Sequence, residues 1–134
     1  MRILLAIFLC LTLFGCQQGF SFKADSFQKI LPQELKTKLE KQENFKIVDI
    51  RDSVDYEQGH IANAISLPYD SGHFQAQYQS FDWGKDIVIV IVDTYEDRAA
   101  DTAKILKNSG FSSVKVLKGG MLDWQKAKYP VVSD

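Results

Sequence analysis

Ile87-Val88-Ile89-Val90-Ile91-Val92 is an unbroken run of β-branched side chains, and Asp93-Thr94-Tyr95-Glu96-Asp97-Arg98 follows it directly. A strand with one face in water alternates apolar and polar residues. This run does not alternate, so it predicts a central parallel strand covered on both faces. Beyond it, Arg98 to Asn108 places Ala99, Ala103 and Leu106 on one helical face and stops at Gly110. In parallel sheets, ligands gather where strands end and helices begin. The junction from Val92 to Arg98 is therefore the first place to look for a site.

The pattern repeats outward from this unit. On the N-terminal side, Phe27 to Ile30 reads as a short strand. Pro32 suits a first helical position, with Leu35 and Leu39 on one face of the helix. Phe45 to Ile50 reads as a strand, Val54 to Gln58 as a short helix stopped by Gly59, and Ile65 to Leu67 as a strand stopped by Pro68. Residues 69–84, rich in Gln, Ser and aromatics, carry no readable period. On the C-terminal side come a strand from Val114 to Leu117, then Gly119-Gly120, then a last helix to Lys128 ahead of Pro130. Strand and helix in alternation predict a single α/β domain with a parallel sheet flanked by helices on both faces.

The N-terminus reads differently. Arg2 precedes an apolar run from Ile3 to Phe14, broken only by Thr12. A bilayer-spanning helix needs about 20 such residues, so this run has the length of a secretory signal core. It ends in Leu13-Phe14-Gly15-Cys16, which resembles a bacterial lipobox. That resemblance implies a signal peptide over 1–15, a lipidated Cys16 carrying several acyl chains, and a polar tether to residue 25. The domain then spans 26–134. Several chains make anchoring stable where one is marginal. Gln17 after the cysteine implies, for a Gram-negative source, an outer-membrane lipoprotein facing the periplasm. The competing readings are an ordinary signal peptide and a buried N-terminal helix.

Composition narrows the function classes. The formal net charge is −1, the lysines are scattered and no basic stripe appears, so nucleic acid is not an expected partner. The only cysteines are Cys10 and Cys16. Residues 17–134 therefore have no thiol, no internal disulfide and no thiolate nucleophile.

Ile47-Val48-Asp49-Ile50-Arg51, the Tyr56, Gly59-His60-Ile61, Ala64 and Leu67-Pro68 series, and Gly110-Phe111, Gly119-Gly120, Trp124 and Pro130-Val131 occur in an order and spacing that resemble the rhodanese family. The resemblance implies an active-site loop directly after the central strand. Such a loop opens with a nucleophilic cysteine and closes five positions on with an arginine. Its amides form an anion cradle for the thiolate and its persulfide. Here the loop is Asp93, Thr94, Tyr95, Glu96, Asp97 and Arg98, with Asp93 at the cysteine position. A carboxylate oxygen cannot carry a persulfide, so autonomous sulfur transfer from thiosulfate is not expected.

Asp93 is expected to accept hydrogen bonds from the loop amides as a built-in occupant of the anion site; the alternative is that Asp93 or Asp97 caps the following helix, and the two readings are compatible. Asp93, Glu96, Asp97 and Asp101 should surround Arg98 with acid, repelling thiosulfate and phosphate and suiting basic groups on an envelope protein partner. No metal is expected, because the acids come without a His or Cys cluster, and no cofactor is implied. Asp49, Arg51 and His60 have structural readings; Met121 and Trp124 read as core; His73 has no visible partner. Tyr95 is either a contact residue or folded back over its loop. Three functions follow: a non-catalytic, lipid-anchored module binding a protein or small ligand at this loop, an enzyme using Asp93 in non-sulfur chemistry such as phosphoryl transfer, or a scaffold in sulfur relay.

Overall fold

The β-branched run becomes β4 (Val88–Val92), the middle strand of a five-stranded parallel sheet. The computed structural model describes residues 27–133; the expected signal, Cys16 and tether lie outside the described residues. The elements are β1 (Gln28–Ile30), α1 (Pro32–Glu40), β2 (Lys46–Asp49), α2 (Ser53–Gln58), β3 (Ala64–Ser66), α3 (Phe74–Gln79), β4, α4 (Asp97–Asn108), β5 (Ser113–Leu117) and α5 (Gly120–Lys126). Strand order is β1-β5-β4-β2-β3, and every pairing is parallel. Expected and observed ends differ by one or two residues, as helix and strand ends commonly do.

The missing alternation in β4 has its cause in two cores. Ile89 and Ile91 face one cluster with Val48, Val114, Val116, Ala99, Ala103 and Leu106. Val90 and Val92 face the other, with Ile47, Leu35, Leu117, Met121 and Trp124. Helices α3 and α4 cover the first face, and α1 and α5 the second. All four β4 residues from Ile89 to Val92 have no exposed surface. Burying a side chain of this size contributes about 1.5–3 kcal/mol.

Residues 69–84, unreadable in sequence, form α3 and its flanks. Phe74 and Tyr78 are the buried residues of α3, with ring centroids 5.4 Å apart. Phe81 stacks on Trp83 at 3.9 Å. The aromatic content of this stretch is a lid on the first core; six helical residues are too few to show a period.

The connections set the place of the site. Leaving β2 the chain moves outward to β3; leaving β4 it moves the opposite way to β5. A crevice opens between the carboxyl ends of neighbouring strands whose connections diverge. Here those ends carry Asp49-Ile50-Arg51 and Asp93-Thr94.

Candidate functional site

Asp93 is the first residue past β4 and only 4% exposed. A buried carboxylate needs donors, and the loop supplies them from its far end. The guanidinium of Arg98, in the first turn of α4, donates from Nη2 to Asp93 Oδ1 at 2.7 Å and from Nε to Oδ2 at 3.2 Å. The Thr94 amide donates to Oδ1 at 2.7 Å. The expectation that several loop amides hold Asp93 is thus corrected: one amide and the arginine fork hold it. Bonding to Asp93 works against the cost of burial and, with Asp70 adding to it, holds the Arg98 pKa above its ordinary value.

The acidic rim is also redistributed. Arg98 spans to Asp70, Nη1 to Oδ2 at 2.8 Å, so its second acid comes from the β3–α3 connection. Glu96 turns away from Arg98. It accepts from Lys29 of β1 and from the Gly119 amide at 2.6 Å, tying the loop to the β5–α5 turn. Burial disfavours its charge, but Lys29 and the Gly119 amide outweigh that and keep Glu96 below the usual carboxylate range. Asp101 is exposed and pairs with Lys104 at 3.5 Å. Neither Asp93 nor Asp97 caps α4. Glu96 holds the N-cap position, with no side-chain cap bond, and Asp97 is the first helical residue.

The loop's carbonyls face the opposite way from the Arg98 fork. Met121 N–H donates to Asp93 O at 2.8 Å and Leu122 N–H to Thr94 O at 3.3 Å. Gly120 makes this contact possible. A Cβ there would stand 2.3 Å from Tyr95 O and 2.6 Å from Asp93 O and Thr94 O, and its φ is +60°. Only glycine meets both demands. The Gly119-Gly120 pair, legible in sequence as a turn, is a seat for the loop backbone.

Arg51 and Asp49 flank the loop on the β2 side. Arg51 Nε and Nη2 grip the Asp49 carboxylate at 2.7–3.1 Å, and Nη2 also donates to Gly59 O at 2.9 Å. His60 Nδ1 lies 2.9 Å from Tyr56 O, and its ring stacks on Tyr56 at 3.8 Å. Both match their structural readings. Tyr95 is 61% exposed. His73 is exposed at the start of α3. Among the described residues, no group of three His, Cys, Asp or Glu could hold a metal ion.

The family model for the Rhodanese-like domain matches residues 31–127. The chain belongs to the rhodanese-like family. Within it, the uncharacterized protein YibN of Escherichia coli (strain K12) is 30% identical over 104 residues, 78% of this chain and 72% of YibN. The adenylyltransferase and sulfurtransferase UBA4 of Debaryomyces hansenii is 29% identical over 89 residues, 63% of this chain and 20% of that much longer protein. Among solved structures, the Alr3790 protein from Anabaena sp. superposes with a TM-score of 0.71 at 27% identity, covering 78% of this chain and 82% of that one. The rhodanese-like assignment accounts for the sheet order, the loop after β4 and the turn before α5 together.

Proposed function

We propose that this rhodanese-like domain is a non-catalytic binding module, held at the cell envelope by a lipid on Cys16. In it Asp93 takes the place of the family's nucleophile, and a protein or small ligand binds at the mouth of the loop. In a Gram-negative cell the module would face the periplasm from the outer membrane. One observation carries the reading: the group at the head of the loop is a buried carboxylate already bound by Arg98 and the Thr94 amide. The site's principal cation is thus engaged by the protein itself.

Sulfur transfer needs a thiolate to attack the sulfane sulfur, forming an S–S bond while sulfite leaves. Residues 17–134 hold no cysteine to do so. The activity in the name of UBA4 therefore does not carry over. Phosphoryl transfer by Asp93 would need a free clamp for the phosphoryl oxygens. Arg98 is spent on Asp93 and Asp70, which speaks against it.

The test is a thiosulfate–cyanide assay on the full-length protein and on Asp93→Cys. The natural chain should give no thiocyanate above the buffer control. Asp93→Cys should gain the mass of one sulfur atom on exposure to thiosulfate. Turnover by the natural chain overturns the reading. A folded Asp93→Cys variant that gains no sulfur would show that position 93 is not the nucleophile's place.

A further inference from the structure

A concavity lies on the carbonyl side of the loop; Asp93 and Arg98 are not among its lining residues. It has a volume of about 330 Å³ and is lined by residues that include Arg51, Asp55, Thr94, Leu122, Gln125 and Val131. It sits in the crevice between the carboxyl ends of β2 and β4, where the connections diverge. Its lining comes from α2, the loop after β4, α5 and the C-terminal tail.

Three observations point to what fits there. Arg51 is 5% exposed, and its charge is matched by Asp49. Its Nη1 nevertheless bonds no described residue, leaving a free donor at the pocket wall for a neutral acceptor such as a carbonyl. Asp55 is exposed and has no cationic partner among the described residues, so the unbalanced charge of the pocket is negative. Leu122 and Val131 are 36% and 45% exposed on its rim, and Gln58 and Gln125 add amides that both donate and accept. Tyr95 and Val54, the chain neighbours of the lining residues Thr94 and Asp55, are each more than 60% exposed.

We propose that this pocket receives an extended segment of a partner protein in which lysine or arginine alternates with apolar residues. The cation meets Asp55, a backbone carbonyl meets Arg51 Nη1, and the apolar side chains cover Leu122 and Val131. Gln58 and Gln125 serve the remaining backbone groups. An anionic ligand is disfavoured by Asp55, the acid of the lining, which pairs with no cation among the described residues. The inference rests on the binding reading above and adds the side of the loop and the chemistry of the partner.

The experiment is fluorescence anisotropy of a labelled peptide of alternating leucine and lysine, titrated with the full-length protein in nonionic detergent. A peptide with glutamate in place of lysine serves as comparison. The lysine peptide should bind, and more weakly as salt rises. Asp55→Lys and Leu122→Asp should each weaken it at least tenfold while circular dichroism stays unchanged. No binding of the lysine peptide, equal binding of the glutamate peptide, or self-association of the chain that occupies the pocket overturns the proposal. Binding lost in Asp93→Asn but kept in Asp55→Lys would put the ligand on the Arg98 side, so that the module reading stands and this inference falls. Thiocyanate production would fell the module reading and leave the peptide result intact.

Discussion

Arg98 closes on Asp93 from five positions on, with Nη2 to Oδ1 at 2.7 Å and Nε to Oδ2 at 3.2 Å. The pair turns a strand-to-helix connection into a closed ring. Among the described residues, Asp93 has one side-chain partner, Arg98, joined by the Thr94 amide.

Removing that partner should be costly. Breaking a buried ion pair costs about 3–5 kcal/mol, and the Arg98 side chain is 32% exposed, so solvent recovers part of it. Arg98→Ala should lose about 2–3 kcal/mol in urea unfolding. Asp70→Ala, removing a 68% exposed carboxylate from the other end of Arg98, should lose at most about 1 kcal/mol. Equal losses in the two variants would mean that the Asp93 contact is not the stronger half.

Glu96 gives the loop a pH dependence. Its folded pKa lies below the usual 4.5, despite burial, because Lys29 and the Gly119 amide hold the charged form. The unfolded chain therefore binds its proton first as pH falls. The contribution of Glu96 is complete above its unfolded value and disappears as pH drops through its folded one. Glu96→Gln should cost about 1 kcal/mol near neutrality, and the gap to the natural chain should close in acid. A gap that stays constant to low pH would refute it.

Gly120 tolerates no side chain. Gly120→Ala would drive a methyl group into Tyr95 O while holding a φ of +60°. The clash is with backbone, which cannot swing aside, so the loss should be at least about 2 kcal/mol. Thermal unfolding measures it. A melting temperature within error of the natural protein would mean that the loop does not rest on α5.

Lipidation is checked in cells. The natural chain should take up labelled palmitate and sediment with membranes, and Cys16→Ser should abolish the label. Label retained by the variant would place acylation elsewhere.

How much of this is legible in the sequence depends on how the signal is distributed. β4 is readable because burial on both faces removes every polar residue from a short stretch. Ala99, Ala103 and Leu106 are readable because a helix returns them to one side, and all three have no exposed surface. The loop is found at the strand-to-helix junction and through the rhodanese resemblance, and Arg98 does meet Asp93. The second acid on Arg98 escapes the sequence: Asp70 lies 28 residues away, in the stretch without a period. Glu96 is misplaced because its partners, Lys29 and Gly119, come from two other segments. The pocket beside Arg51 is invisible for the same reason. It draws on four segments that only the sheet order brings together.

The parallel course of β1 has one more outcome. Phe27 enters the sheet at the ends where strands begin, and Asp93 stands at the ends where they finish. The strand direction therefore works as a compass needle. Under the proposed anchoring, a tether pulling on Phe27 would draw the sheet's starting edge toward the membrane and turn the Asp93 loop and the crevice beside Arg51 outward. Whatever holds this domain by its N-terminal end would leave the proposed binding surface at the opposite end of the strands from the hand.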